Sequence, residues 1–320
     1  MMSPSTQAPT AVSLAPVAIF VFNRLDNTRQ TIEALQRNHL AGQTDVYVFS
    51  DGGKDEASWR LVREVRSYLH SVSGFKSIQV IEREENYYLE RNITEGIAEV
   101  LGRHDRIIVL EDDIVTSPWF LTYMNEALDK YAHEQRIWHI AGFTNLLLPS
   151  LGDTYLCHHM TGWGWATWRD RWCEHFVHFK TREEALHGVS TDLQRRIEMN
   201  GHFPCLKSLD KRPIPWDICW EIAIYKAGAL CLHPTQTLVR NVGLNTGTHF
   251  SQHKIFGWFE YDRPTLNRKI DLQDIPIEVT PSIEAHYEVA MHDHGIRYTP
   301  LGKIARWFLH HVIRRLKPNA

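Results

Sequence analysis

The stretch Arg106-Ile-Ile-Val-Leu-Glu-Asp-Asp113 sets the expected fold. Its four consecutive apolar residues, Ile107 to Leu110, are bulky or β-branched, which favours a strand buried on both faces of a parallel sheet. Three carboxylates follow at once, and Ser117 and Pro118 then predict the N-cap and first residue of a helix. We therefore expect the acids at the carboxyl end of a central strand, where open α/β sheets bind ligands.

The carboxylates of Glu111, Asp112 and Asp113 are adjacent in sequence and repel one another. A divalent cation would relieve that repulsion, and Mn²⁺ and Mg²⁺ take oxygen ligands and are commonly shared with substrate phosphates. A solvated acidic turn after a strand would have the same sequence. These residues alone are compatible with both a metal–phosphate site and a simple turn.

Polar residues also follow two earlier predicted strands. A strand at 17–22 leads into Asn23 and Arg24, and a strand at 45–50 ends at Asp51. Helices are predicted between these strands, and the alternation continues to a strand at 136–141, which predicts a doubly wound, mostly parallel sheet. Because the polar strand ends repeat along one edge, the sequence predicts a nucleotide-type site there.

Composition excludes several classes. The chain has 320 residues, 43% of them apolar, and a formal charge of -3, which gives no attraction to nucleic acid. Its five cysteines form no Cys-x-x-Cys pair, which argues against a disulfide framework or a zinc site and predicts a reducing, cytoplasmic setting. A P-loop is excluded because the chain has no Gly-x-x-x-x-Gly-Lys-Ser/Thr segment.

The second half is rich in tryptophan. Trp163 and Trp165, in Gly162-Trp-Gly-Trp-Ala-Thr-Trp168, are compatible with a hydrophobic plug or with an aromatic wall for substrate. A proline-rich turn presents Trp216 and Asp217, and Asp217 is also a possible N-cap for an apolar helix at 218–227.

Three further segments carry predictions. One charged amphipathic helix is expected over 181–200. His249, in a Gly/Asn-rich loop over 241–249, is compatible with a metal-binding or diphosphate-binding role and with a structural one. The basic amphipathic segment 301–317 predicts either peripheral attachment to an anionic membrane surface or a helix docked on the domain.

Over about 17–250, these segments resemble, in order and spacing, glycosyltransferases of the GT-A fold, in particular bacterial relatives of the N-acetylglucosaminyltransferase I group. That fold has a Rossmann-like, mostly parallel sheet flanked by helices, with an acceptor-side C-terminal half. The small, polar residues of 1–16 predict a disordered leader. The resemblance implies a nucleotide-sugar-binding half at 17–150 and an acceptor and catalytic half of the same domain at 151–260, followed by an extension at 261–320.

The resemblance also implies residue roles. It makes Asp217 the catalytic base, with Glu221 as a rival, and Trp163 and Trp165 the acceptor wall. Asp113 and His249 would bind Mn²⁺ or Mg²⁺. Donor contacts are implied for Asn23, Arg24, Asp51, Arg91, Glu111, Asp112 and Trp216.

The implied function is metal-dependent transfer of a sugar from a nucleotide-diphosphate sugar, with UDP favoured, to a hydroxyl acceptor. Inversion at the anomeric carbon is expected, with a glycan or lipid-linked acceptor of the kind used in surface polysaccharide synthesis. The alternatives are a sugar nucleotidylyltransferase and a non-catalytic nucleotide- or carbohydrate-binding protein.

Overall fold

A single mixed sheet forms the centre of the structure, a computed structural model that describes residues 13–144, 146, 152–201, 203–243, 265–279 and 282–287. Its strands are β1 (Val17–Val21), β2 (Asp45–Ser50), β3 (Ser77–Glu82), β4 (Arg106–Glu111), β6 (Ile137–Ala141), β7 (Thr154–Cys157), β8 (Trp165–Trp168) and β9 (Leu230–Pro234). The short strands β5 (Ile114–Thr116) and β10 (Val239–Asn241) pair with each other beside it.

Helices flank this sheet. They are α1 (Leu25–Gln36), α2 (Glu56–Leu69), α3 (Tyr88–Leu101), α4 (Phe120–Lys130), α5 (Arg169–His175), α6 (Arg182–Leu186), α7 (Thr191–Ile197) and α8 (Trp216–Ala227). Short 3₁₀ helices lie at Ala41–Gln43, Met199–Gly201 and Cys205–Asp210.

The strand order is β3-β2-β1-β4-β8-β6-β9-β7. The pairs β1–β2, β2–β3, β1–β4 and β6–β9 are parallel, whereas β8 runs antiparallel between β4 and β6, and β7 runs antiparallel to β9. The mostly parallel, helix-flanked sheet predicted from the sequence is confirmed. Because β8 comes from the tryptophan-rich half, both halves of the chain contribute strands to one sheet.

The central strand β4 is buried on both faces, as its sequence predicts. Ile108 and Leu110 pack into the hydrophobic cluster on one face of the sheet, and Ile107 and Val109 pack into the cluster on the other. Since side chains alternate along a strand, four consecutive apolar residues fill two cores at once. The charged residues begin where this double burial ends.

Several predicted boundaries were wrong. α4 starts at Phe120, two residues after Pro118, with Trp119 as its N-cap. The Ser117 hydroxyl donates to the Leu266 carbonyl (2.6 Å) and accepts the Trp119 N–H (3.2 Å), which precedes the helix. Asp217 lies inside the first turn of α8, which follows Pro215, so it is not the N-cap.

The single helix predicted over 181–200 is two short helices, α6 and α7. Gly188 lies between them with φ +73°, and Ser190 caps α7 by accepting the Leu193 N–H (3.1 Å). A left-handed residue and a new cap end one helix and start the next.

Ala15, which lies within the predicted leader at 1–16, is fully buried, and its N–H donates to Asn125 Oδ1 (2.8 Å), so the end of that segment is ordered. Residues 1–12, the loop that carries His249 and the segment 301–317 lie outside the described residues. Within the described part of the chain, no helix is both long enough and apolar enough to cross a bilayer. All five cysteines are free thiols.

A glycine pair fastens β8 to the end of β6. Gly142 donates its N–H to the Gly164 carbonyl (2.7 Å), and Gly164 has φ +63°, where a side chain is strained. A Cβ at position 142 would lie 2.7 Å from both the Gly164 oxygen and the Phe120 ring. This contact therefore requires a backbone without a side chain.

We predict that Gly142→Ala lowers the free energy of unfolding by about 2 kcal/mol, because the added methyl group overpacks the β6–β8 junction. Urea denaturation would measure the change. Gly42→Ala is the matched control, because a Cβ at that position meets nothing within 4 Å. Equal stability of the two variants would contradict the prediction.

Candidate functional site

The acidic end of β4 lies beside the end of β1, where Arg24 bridges two of the acids. Its Nε donates to Asp112 Oδ2 (3.1 Å), its Nη2 contacts Asp112 Oδ1, and the same nitrogen lies 3.0 Å from Asp113 Oδ2. Asp112 and Asp113 are buried, and the Arg24 side chain is 28% exposed. The arginine that was predicted from its position after β1 is thus the counter-charge of the acids predicted after β4. We call Arg24 with Glu111, Asp112 and Asp113 the acid rim.

Burial makes the charged forms of these acids costly. It raises the pKa of Asp112 to about 6 although Arg24 opposes the shift, and it raises the pKa of Asp113. Burial also raises the pKa of Glu111 well above its usual range, and the charges of Asp113, Asp112 and Asp217 raise it further. The acid rim therefore holds more negative charge than its surroundings stabilise.

The donor set of the acid rim suits Mn²⁺ or Mg²⁺, which prefer carboxylate oxygens. The backbone at Gly243 lies so close to Asp113 that a Cβ there would be 2.1 Å from Oδ2, and the Val242 N–H donates to the Asp113 carbonyl (2.8 Å). Among the described residues, however, no three His, Cys, Asp or Glu side chains converge on one point that would hold a metal. The carboxylates of the acid rim are the type of ligand that binds such a cation, but in this structure Asp112 and Asp113 are paired with Arg24.

Asp51, at the end of β2, holds the loop that enters α3. Its Oδ1 accepts the N–H groups of Tyr87 (2.7 Å) and Gly52 (2.9 Å), and its Oδ2 accepts the Asn86 side-chain amide (3.0 Å). The predicted base-contacting acid thus already has three protein donors. The loop it holds leads into Tyr88, the first residue of α3, which has φ 58° and is 59% exposed.

The candidate base Asp217 lies on the same side of the molecule as the acid rim. It is partly exposed at the start of α8, its Oδ1 accepts the Ile218 N–H (2.9 Å), and its charge acts on Glu111. Burial raises the pKa of Asp217 above the usual range for aspartate. The structure therefore brings together the acid at the strand end and the acid from the tryptophan-rich half.

The tryptophans form a buried stack beside Asp217. Trp165 is fully buried and stacks on Trp216, with ring centroids 5.3 Å apart and planes 16° apart, and Gly162 lies against the Trp216 ring. Both rings are used in packing, and the roles of Trp165 in an acceptor wall and of Trp216 in donor contact stay predictions. Trp163 is partly exposed, with its ring against Phe143, and its role in an acceptor wall stays a prediction.

Glu221, the rival base, lies one turn after Asp217 on α8 but is 2% exposed. Its Oε1 lies 2.5 Å from His159 Nδ1, and its Oε2 accepts the Met160 N–H (2.8 Å). Both oxygens are therefore engaged inside the protein.

The remaining predicted residues are placed as follows. Asn23 is partly exposed after β1. Arg91 is on the exposed side of α3, bonded to Glu95 and Glu85 and stacked 3.5 Å above the Tyr87 ring. It is therefore joined to the Asp51-held loop through Tyr87 and not to the acid rim.

Sequence reasoning missed His159 as the partner of Glu221. A signal existed, because Glu221 is the one acid in the otherwise apolar run 218–225. A carboxylate inside a buried helix requires a hydrogen-bonding partner, and His158 and His159 lie four and three residues before Gly162, where the Gly-Trp-Gly-Trp segment begins.

Comparison with known families gives one match. Residues 17–142, about two fifths of the chain, match the model described as glycosyl transferase family 2. The matched region includes β1, the end of β2 and the whole acid rim. The chain therefore carries a glycosyltransferase domain, and the enzyme class expected from the sequence is confirmed. No curated protein matches the chain.

Solved structures with similar folds include a mannosyltransferase, PcManGT from Pyrobaculum calidifontis, in complex with GDP-Man and Mn²⁺. It is 11% identical, with a TM-score of 0.38 over 70% of this chain and 77% of that one. An active-site mutant of LgtC is 13% identical, with a TM-score of 0.35 over 54% and 64%. The galactosyltransferase LgtC with donor and acceptor sugar analogues is 12% identical, with a TM-score of 0.32 over 50% and 60%. The enzyme class depends on the family match and not on these distant similarities.

We predict that Arg24→Gln lowers the free energy of unfolding at pH 8 by about 1 to 3 kcal/mol, because Asp112 and Asp113 lose a charged donor. With the pKa of Asp112 at about 6, its carboxyl is largely protonated at pH 5 and ionised at pH 8. The contribution of the ion pair is therefore present above that pKa and is lost as the pH falls through it.

Urea denaturation at pH 5 and pH 8 would measure both effects. Arg37→Gln, at the exposed end of the same helix, is the matched control. A loss of stability that is the same at both pH values would contradict the ion-pair explanation.

Proposed function

We propose that this protein is a metal-dependent glycosyltransferase that moves a sugar from a nucleotide-diphosphate sugar to a hydroxyl group of an acceptor. The observation that carries the proposal is the placement of Asp217, partly exposed, within electrostatic range of Glu111 in the acid rim. A donor diphosphate at the rim would then lie across from a carboxylate that can accept a proton.

The acceptor hydroxyl must lose a proton as it attacks the sugar. Asp217 is suited to accept it, because a general base needs an accessible carboxylate and Asp217 is partly exposed. Burial raises its pKa, which makes its carboxylate a stronger base than that of an ordinary aspartate.

The leaving nucleotide diphosphate gains negative charge as the bond to the sugar breaks. Asp113 would hold a divalent cation, with His249 as the second predicted ligand, and such a cation supplies positive charge to the phosphates. Arg24, already beside Asp112 and Asp113, adds a positive charge of the protein itself.

The finer assignments also belong to the proposal. UDP is the favoured nucleotide, and attack by one base opposite the leaving group implies inversion at the anomeric carbon. We also propose that the protein is related to the N-acetylglucosaminyltransferase I group. Its acceptor would be a glycan or a lipid-linked molecule, as in polysaccharide synthesis. A radiolabelled panel of nucleotide sugars with Mn²⁺ would test turnover, and binding without release of nucleotide would favour a non-catalytic binding protein instead.

We predict that Asp217→Asn lowers the transfer rate by about 10² to 10⁴, because the amide cannot take a proton, while donor affinity stays within about twofold. In the unsubstituted protein, the rate should fall as the pH drops through the raised pKa of Asp217. This acidic limb should therefore lie above the usual aspartate range, and a pH–rate profile would locate it.

The control for this experiment is Asp192→Asn, an exposed aspartate in α7. Unchanged turnover in Asp217→Asn would place the base elsewhere.

We predict that Asp113→Asn weakens Mn²⁺-dependent binding of UDP by at least about tenfold, since it removes a carboxylate from the acid rim. Isothermal titration calorimetry with and without Mn²⁺ would measure this, and Asp26→Asn, exposed on α1, is the control. Identical affinities in Asp113→Asn and Asp26→Asn would remove Asp113 from the metal site.

A further inference from the structure

The connection between β7 and β8, residues 158–164, is held by buried side chains from other elements. Glu221 on α8 contacts this connection through both of its carboxylate oxygens. Its Oε1 lies 2.5 Å from His159 Nδ1, and its Oε2 accepts the Met160 N–H (2.8 Å). An ionised carboxylate only accepts hydrogen bonds, so the histidine nitrogen that faces it carries a hydrogen.

Two buried histidines hold the same connection by its carbonyl groups. His233 on β9 donates from Nε2 to the His159 carbonyl (2.8 Å), and His139 on β6 donates from Nε2 to the Thr161 carbonyl (3.2 Å). Both histidines are completely buried. Three successive residues, 159 to 161, are therefore fixed from three different elements.

This connection leads directly into the tryptophan stack beside the candidate base. Gly162 lies against the Trp216 ring, and Trp163, next in the chain, is partly exposed. Trp216 immediately precedes Asp217, and Glu221 follows Asp217 by four residues on the same helix, so the two acids share a face of α8. Through its contacts with His159 and Met160, Glu221 thus connects the helix that contains Asp217 to the segment that contains Trp163.

We infer that Glu221 is a positioning residue for the acceptor and not the base: it fixes the 158–164 connection, and with it Trp163, relative to Asp217. This inference rests on the proposed function. Glu221 is 2% exposed and has both oxygens engaged, whereas Asp217 is partly exposed, so the two acids of α8 have different tasks. Acceptor binding therefore depends on Glu221, and proton removal does not.

Glu221→Gln is the sharpest test, because it keeps the shape of the side chain. A glutamine offers one acceptor oxygen and one NH₂ donor, but two N–H groups, on His159 and Met160, face this position. Both contacts persist only if the His159 ring changes tautomer, so that Nδ1 accepts from the new NH₂ group, and in either case a charged acceptor is replaced by a neutral amide. Glu33→Gln, exposed on α1, is the matched control.

The first readout is kinetic. With UDP-glucose and UDP-N-acetylglucosamine as donor probes and a p-nitrophenyl glycoside as acceptor, Glu221→Gln should raise the acceptor KM about tenfold, the factor for weakening the charged contacts to neutral ones. UDP release to water should be unchanged, and the acidic limb of the pH–rate profile should remain. Loss of that limb with an unchanged acceptor KM would make Glu221 the base and overturn the inference.

The second readout does not need turnover. Amide hydrogen exchange of the peptide that spans 158–164 should be about tenfold faster in Glu221→Gln than in Glu33→Gln, because the Met160 amide exchanges a charged acceptor for a weaker, neutral one. Unchanged exchange there would overturn the inference whatever the kinetics. If the unsubstituted protein releases no UDP from any donor, the proposed function fails, and the exchange result alone decides whether Glu221 holds the connection.

A pair of variants at His159 covers the case in which Glu221→Gln does not fold. His159→Leu removes the donor to Glu221, whereas His159→Asn places an amide nitrogen close to the position of Nδ1. His159→Leu should reproduce the raised acceptor KM and the faster exchange, and His159→Asn should restore both toward the unsubstituted values. Equal behaviour of the two variants would overturn the inference.

Discussion

The structure depends on keeping several negative charges at the edge of a densely packed sheet. β4 can be buried on both faces only because its apolar residues end abruptly at Glu111, and the acids that follow are too deep to be solvated freely. Arg24, which follows the neighbouring strand β1, stabilises the charged forms of Asp112 and Asp113 through its ion pairs with them. The pairing of β1 with β4 therefore places the charge of Arg24 where it stabilises the buried acids.

The second constraint is the entry of β8 into the middle of the sheet. This strand runs antiparallel between β4 and β6, so the connection that precedes it arrives at the same edge as the acid rim. The tryptophans around it then pack against α8 and set the position of its first turn. One strand from the second half thereby brings the residues of both halves into a single site.

The sequence was sufficient for the parts of this protein that depend on local pattern. The apolar run before Glu111, the polar ends of β1 and β2, and the alternation of strands and helices predicted the sheet and the location of the acids. It was not sufficient for contacts between distant residues. Nothing local indicates that Ser117 bonds to the Leu266 carbonyl instead of capping α4, or that Trp165 is fully buried while Trp163 is not. The pairing of Glu221 with His159 likewise joins residues that are 62 positions apart.

The residue that follows the loop held by Asp51, Tyr88, is a position at which the exposed side chain can vary. Tyr88 occupies a left-handed backbone conformation that costs a non-glycine residue about 1 kcal/mol, and its largely exposed ring recovers little of that through burial. A glycine would adopt the same backbone freely, and side chains that are not branched at Cβ would be no worse than tyrosine. Position 88 is thus a place where the surface presented at this edge can be exchanged while the core beneath it stays unchanged.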